Sequence, residues 1–118
     1  MSKAAFWQRG ETLDYRNDTD TKIEANTVIS FGSHIGVAGT DILPGELGSL
    51  HVTGVFEIDK TAAGAIEMGT DVYFDGTGIT DTADNGKTDD TKKSYTPAGY
   101  AAQAAAASDA VILVKLGG

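Results

Sequence analysis

The chain has 118 residues, enough for one domain with a single core and too few for two ordinary ones. Seventeen acidic residues against nine basic give a net charge of −8, which argues against a nucleic-acid backbone as partner, because phosphate binding needs clustered Lys and Arg. The absence of cysteine removes disulfides, thiolate metal sites and thiol catalysis, and points to a reducing compartment with stability drawn from packing or assembly.

The beginning of the chain has one Lys and a four-residue apolar run before Gln8 and Arg9, so no signal peptide is expected. No stretch approaches the ~20 apolar residues needed to cross a bilayer as a helix, and no membrane partner is expected. Asn17-Asp18-Thr19 matches the glycosylation acceptor pattern, which without secretion is an accident of composition.

With 15 Gly and only 2 Pro, and with Thr and Val favoured over helical runs, the sequence reads as short strands cut by turns. Residues 1–10 form an extended arm, and residues 11–118 a single β domain. In chain order, strands are expected at 12–15, 22–24, 27–31 and 34–38, with a turn at Pro44-Gly45-Glu46. From Leu50 to Ile58 the alternation predicts one half-buried strand, with Leu50, Val52, Phe56 and Ile58 on one face and Gly54 marking a bulge. Residues 61–68 are the one place where the pattern allows a short helical turn, weakened by Gly64.

Asp71-Val72-Tyr73-Phe74-Asp75 reads as a strand closed by Gly76-Thr77-Gly78, with Ile79-Thr80 starting its return partner. Residues 81–94 hold no apolar side chain larger than Ala and are expected as an exposed loop. The alanine-rich run 101–107 is read as a strand ending in a turn at Ser108-Asp109, although Ala alone favours a helix. The last strand, 110–116, is apolar on both faces, which places it centrally in a sandwich or under a neighbouring subunit. Gly36-Val37-Ala38 and Gly99-Tyr100-Ala101 each open a similar stretch, so two strand-turn-strand units echo one another. The expected fold class is all-β, a small β-sandwich or jelly-roll-like barrel of short antiparallel strands.

Candidate chemistry is thin. Gly86-Lys87-Thr88 looks like the end of a phosphate-binding loop, but the position five residues before Gly86 is Asp81, and Asp81, Asp84, Asp89 and Asp90 would repel an anion. The same acids miss the alternate-residue spacing of a helix-loop-helix calcium site, as do Asp14, Asn17, Asp18 and Asp20. His34 and His51 are the only imidazoles and lack a third zinc ligand, and Ser33, next to His34, points to the opposite face of a strand. No catalytic, cofactor-binding or metal-ligating set is therefore assigned. Phe6 and Trp7, large aromatics with little core around them, either plug their own domain or dock on a partner.

Several of these pieces occur together. They are Gly36-Val37-Ala38, Pro44-Gly45-Glu46, Val52-Thr53-Gly54-Val55-Phe56-Glu57 with Lys60, Gly69-Thr70-Asp71-Val72-Tyr73-Phe74-Asp75, and the closing Gly99-Tyr100-Ala101, Asp109-Ala110-Val111 and Val114-Lys115-Leu116. In order and spacing this set resembles the small phage capsid cement, or decoration, proteins over nearly the whole chain. The family has circulated as a domain of unknown function with a recombinase label, which the failed phosphate loop argues against. Loop 81–94 is where this sequence departs from shorter relatives.

The resemblance implies a protein without enzymatic activity or cofactor, made in the host cytoplasm and placed on the outer surface of the phage head. There it would bridge copies of the major capsid protein. Separately, the last strand, apolar on both faces, points to a dimer or trimer of this chain. The arm residues Ala5, Phe6, Trp7, Gln8 and Arg9 are the expected capsid or subunit interface. A different reading of the same residues is a virion-surface carbohydrate- or host-binding module, with a shallow site between the exposed loop and residues 95–100.

Overall fold

The computed structural model describes residues 2–6 and 8–117, and among these there is no helix. Nine strands form: β1 (Thr12–Arg16), β2 (Val28–Phe31), β3 (His34–Ala38), β4 (Leu47–His51), β5 (Gly54–Asp59), β6 (Asp71–Phe74), β7 (Ile79–Thr80), β8 (Thr96–Ala101) and β9 (Val111–Leu116). They make two antiparallel sheets, ordered β1-β4-β3-β2 and β5-β9-β8-β6-β7. The architecture is a sandwich of two sheets rather than a closed barrel, and each sheet is built from one contiguous half of the chain.

The two halves repeat one another. In each, three strands form a meander and the first strand adds beside the last, so β1, β2, β3 and β4 correspond to β5, β6, β8 and β9. The register agrees: Arg16 stands opposite Leu47 as Asp59 stands opposite Val111, and Val28 opposite Val37 as Asp71 opposite Tyr100. Residues 11–31 match 54–74 without a gap, 36–46 match 99–109, and 47–52 match 111–116 with Ala110 inserted. Identical residues fall at Ile23 and Ile66, Glu24 and Glu67, Thr27 and Thr70, and Phe31 and Phe74.

The non-strand parts repeat as well. Ile23 and Ile42 exchange both backbone hydrogen bonds (2.9 and 2.8 Å), as Ile66 and Ala105 do (2.9 and 2.8 Å). A tight turn follows each of these four residues: the amides of Thr27, Glu46, Thr70 and Asp109 donate to the carbonyls of Glu24, Leu43, Glu67 and Ala106. In the first three turns the third residue has a positive φ, at Asn26 (71°), Gly45 (80°) and Gly69 (89°). That is the demand of a type II turn, and it explains why glycine or asparagine stands there.

The main core lies between the sheets. Ile35 and Val37 of the first sheet pack with Ile58, Ile66, Val72, Ile79, Ile112, Val114 and Leu116 of the second half. β9 alternates as its sequence predicts: Ile112, Val114 and Leu116 are buried and Val111, Leu113 and Lys115 face outward, with β5 and β8 on either side. A second apolar nucleus sits on the far face of the first sheet, where Ala38, Ile42 and Leu50 are fully buried. There Gly36 and Gly48 leave room for Leu50 and Ile42; a Cβ on Gly36 would lie 2.6 Å from Leu50 Cγ.

Four expectations need correction. The 50–58 alternation is not one strand: β4 ends at His51, and the chain crosses to the other sheet before β5 starts at Gly54, whose φ of 113° makes the change of direction. Residues 61–68 hold no helical turn, because Ile66 is committed to its bridge with Ala105. The 101–107 run is neither strand nor helix throughout: β8 stops at Ala101 and the bridge at Ala105 leads into a turn. Residues 22–24 contribute only the bridge at Ile23.

Candidate functional site

The tempting motifs resolve into structural roles. Around Gly86-Lys87-Thr88 there is no strand-to-helix junction to aim amides at a phosphate. Loop 81–94 is closed by a bridge between Asp84 and Ser94 and by Tyr95 N donating to Ala83 O (2.9 Å). Two of its acids are spent on the loop itself: Asp84 Oδ1 accepts from Gly86 N (2.8 Å) and Asp89 Oδ1 from Thr91 N (2.9 Å). The hydroxyl and amide of Thr91 hold the Asp89 carboxyl below its ordinary range. These are turn-forming bonds of the kind Asp makes with its own backbone.

Among the described residues no group of three or more His, Asp and Glu side chains converges to hold a metal ion. The imidazoles lie against aromatic rings, His34 at 6.0 Å from Phe31 and His51 at 6.0 Å from Phe56. Ser33 sits in the turn between β2 and β3 and makes no side-chain bond to His34. Asp75 is the best-held carboxylate. Partial burial pushes its pKa up, but bonds from the Thr61 hydroxyl (2.7 Å) and the Gly78 and Thr77 amides (2.9 Å each) outweigh this and leave it lowered. It caps the turn between β6 and β7.

Asn17 is the residue the sequence hid. It is fully buried, and its Nδ2 donates to the carbonyls of Thr21 and Ile42, each at 2.8 Å, while Oδ1 accepts from Thr19 N at 3.0 Å. Its counterpart in the second half is Lys60, whose Nζ reaches the carbonyls of Ala62 (2.7 Å) and Ala107 (3.4 Å). Both clamp loops against the end of a strand. Only the Asn-x-Thr pattern, which also suits a side-chain-capped turn, hinted at this.

What remains for function is surface. Residues 2–6 and 8–10 are exposed throughout; Phe6 is 87% exposed, with no core around it. Gln8 Nε2 reaches Thr12 O at 3.4 Å, and Arg9 lies 3.9 Å from Glu11, a solvated ion pair. Ala5, Phe6, Gln8 and Arg9 thus stand clear of the body; Trp7 lies outside the described residues. A cleft of about 350 Å³ opens between the halves, lined by Asn26, Val28, Val37, Phe56 and Phe74, and is mostly the rim of the core. Tyr100 lies in the outer face of the second sheet opposite Lys115, in a strand row.

The fold is an all-β sandwich whose buried polar groups are held in turns and clamps, with the described arm residues 2–6 and 8–10 exposed. The chain belongs to the phage cement protein family, whose model matches residues 7–116. No curated protein and no solved structure matches it. Cement proteins are structural rather than enzymatic, and membership places the protein's work at the phage capsid.

Proposed function

We propose that the protein binds the outer surface of the assembled phage head and stabilises contacts between copies of the major capsid protein. The family match across residues 7–116 carries this reading. The physics needs no chemistry: a protein that binds the closed lattice better than its dissociated parts stabilises the lattice by linkage. Many copies on one shell add their contacts through multivalency.

In this reading Ala5, Phe6, Trp7, Gln8 and Arg9 reach onto a neighbouring capsid or cement subunit. The exposure of Phe6 and the lack of a core beneath the arm support it. An aromatic side chain with two χ angles gives much contact area for little ordering entropy, the usual property of an interface anchor. The protein also associates with itself, as a dimer or trimer. Co-sedimentation of purified protein with undecorated heads tests the proposal: saturable binding is expected, and protein left in the supernatant at all concentrations contradicts it.

A further inference from the structure

The second sheet ends at a long free edge. Antiparallel strands bond one neighbour through every second residue, and the residues between turn their N–H and C=O groups the other way. Lys60 N donates to Ala110 O (2.9 Å), so in the ladder of β5 with β9 the residues Gly54, Phe56 and Ile58 face β9, and the backbone groups of Val55 and Glu57 face away from it. The only ladder partner of β5 is β9, and among the described residues no other group hydrogen-bonds the backbone of Val55 or Glu57. Of the four edge strands β5 is the longest, with 6 residues against 5 in β1, 4 in β2 and 2 in β7.

The cleft between the halves runs along this edge. Phe56, Glu57, Ile58 and Asp59 all line it, although successive side chains of a strand point to opposite faces, so its wall is the flank of β5 and not one of its faces. Phe74 and Thr77 of the β6–β7 hairpin also line it. The two edges of the sheet meet at one end, where Lys60 bridges Ile79 and Thr61 N donates to Ile79 O at 2.8 Å. Away from that end the outward side chains of β5 stand in solvent: Val55 is 55% exposed, and Glu57 and Asp59 are exposed with it.

A free edge invites another strand, and natural sheets commonly guard one with charge. Here the guard selects. Glu57 and Asp59 stand opposite Leu113 and Val111, and no cation among the described residues pairs with either acid. Lys60, next to Asp59, and Lys115, opposite Val55, direct their ammonium groups to the carbonyls of Ala62 (2.7 Å) and Leu116 (2.8 Å) instead. A second β5 edge laid alongside would set acid against acid, and like charges in opposed strands destabilise the pairing. A strand with Lys or Arg at those places is favoured. On the inner side the partly buried Val28, Phe56 and Phe74 offer apolar contact to its alternate residues.

We infer that β5 is a site of strand addition: an extended segment of another protein, alternating apolar side chains with Lys or Arg, pairs through its backbone with Val55 and Glu57. Its apolar residues enter the cleft beside Phe56, and its cations lie outside against Glu57 and Asp59. In this mode of recognition the main-chain bonds supply affinity and the alternate side chains supply selection. This rests on the register of β5 and not on the capsid reading, so either can fail alone.

The test titrates the isotope-labelled full chain by NMR with a capped synthetic hexapeptide that alternates valine and lysine, and with one that alternates valine and glutamate. The lysine peptide should bind saturably and about fivefold or more tightly than the glutamate peptide, as two favourable cross-strand charge pairs allow. Amide hydrogen exchange should slow at Val55 and Glu57 and stay unchanged at Phe56 and Ile58, which are already paired with β9. Glu57→Lys combined with Asp59→Lys should reverse the preference between the peptides, and the milder Glu57→Gln with Asp59→Asn should abolish it, each in a chain with the wild-type circular dichroism spectrum. Failure of the lysine peptide to bind, equal affinity for the two peptides, binding without protection at Val55 and Glu57, or a preference unmoved by the substitutions overturns the inference. So does slow exchange at Val55 and Glu57 before any peptide is added, which would assign the edge to the arm or to a second copy of the chain.

Discussion

Asn17 binds the carbonyl of Ile42 at 2.8 Å from a fully buried position, tying the end of β1 to the bridge that covers the first sheet. Asn17→Ala removes both Nδ2 bonds, while the Ile42 carbonyl keeps the Ile23 amide (2.9 Å) and the Thr21 carbonyl keeps the Thr19 hydroxyl (3.0 Å). The loss is therefore that of the side-chain bonds themselves, about 0.5–1.5 kcal/mol each. Urea denaturation of the variant should show that loss at an unchanged m value; an unshifted midpoint would contradict the clamp.

Gly99 supplies a second contrast. It lies at the register shift between β6 and β8 with φ of 131°, and an added Cβ would run into the carbonyl oxygen of Lys115. Gly99→Ala should cost about 2 kcal/mol or more, as expected for a side chain forced into a conformation it rarely adopts. Gly10→Ala, with open space around it, should stay within about 0.5 kcal/mol. Equal thermal midpoints for the two variants would refute the bulge assignment.

Asp75 predicts an acid dependence. Its folded pKa is below the ordinary 3.8, so its stabilising contribution is present above that value and fades as pH falls through the lower folded value. Stability followed from about pH 5 to about pH 3 should fall less steeply in Asp75→Asn than in wild type. Parallel curves would show that the Thr61, Thr77 and Gly78 bonds do not favour the charged form in solution.

Removing residues 2–9 should leave the folded body intact, since residues 2–6, 8 and 9 are exposed and add no side chain to the core. The truncated protein should keep its unfolding midpoint and lose occupancy on heads by at least tenfold, equivalent to about 1.4 kcal/mol of lost binding. Undiminished occupancy would remove the arm from the interface.

Much of this fold was legible because period-two alternation is a local signal. It found β2, β3, the β6–β7 hairpin and the two faces of β9. It failed at residues 50–58 because alternation continues through a place where the chain changes sheets, and nothing in Leu50, Val52 and Phe56 records which strand each will pair with. At 61–68 and 101–107 small residues gave helix propensity, while the long-range pairing of Ile66 with Ala105 decided the outcome. The echo of Gly36-Val37-Ala38 in Gly99-Tyr100-Ala101 was half of a duplication. Its other half is carried by turn geometry and register, with few identical residues to show it. The absence of an assigned active site left the arm as the visible candidate.

The most direct measurement of the central claim is the temperature at which undecorated heads lose integrity, followed by light scattering with and without saturating protein. Cement action predicts a rise in that temperature which saturates with occupancy and is reduced by deletion of residues 2–9. Heads that bind the protein yet disrupt at an unchanged temperature would contradict it.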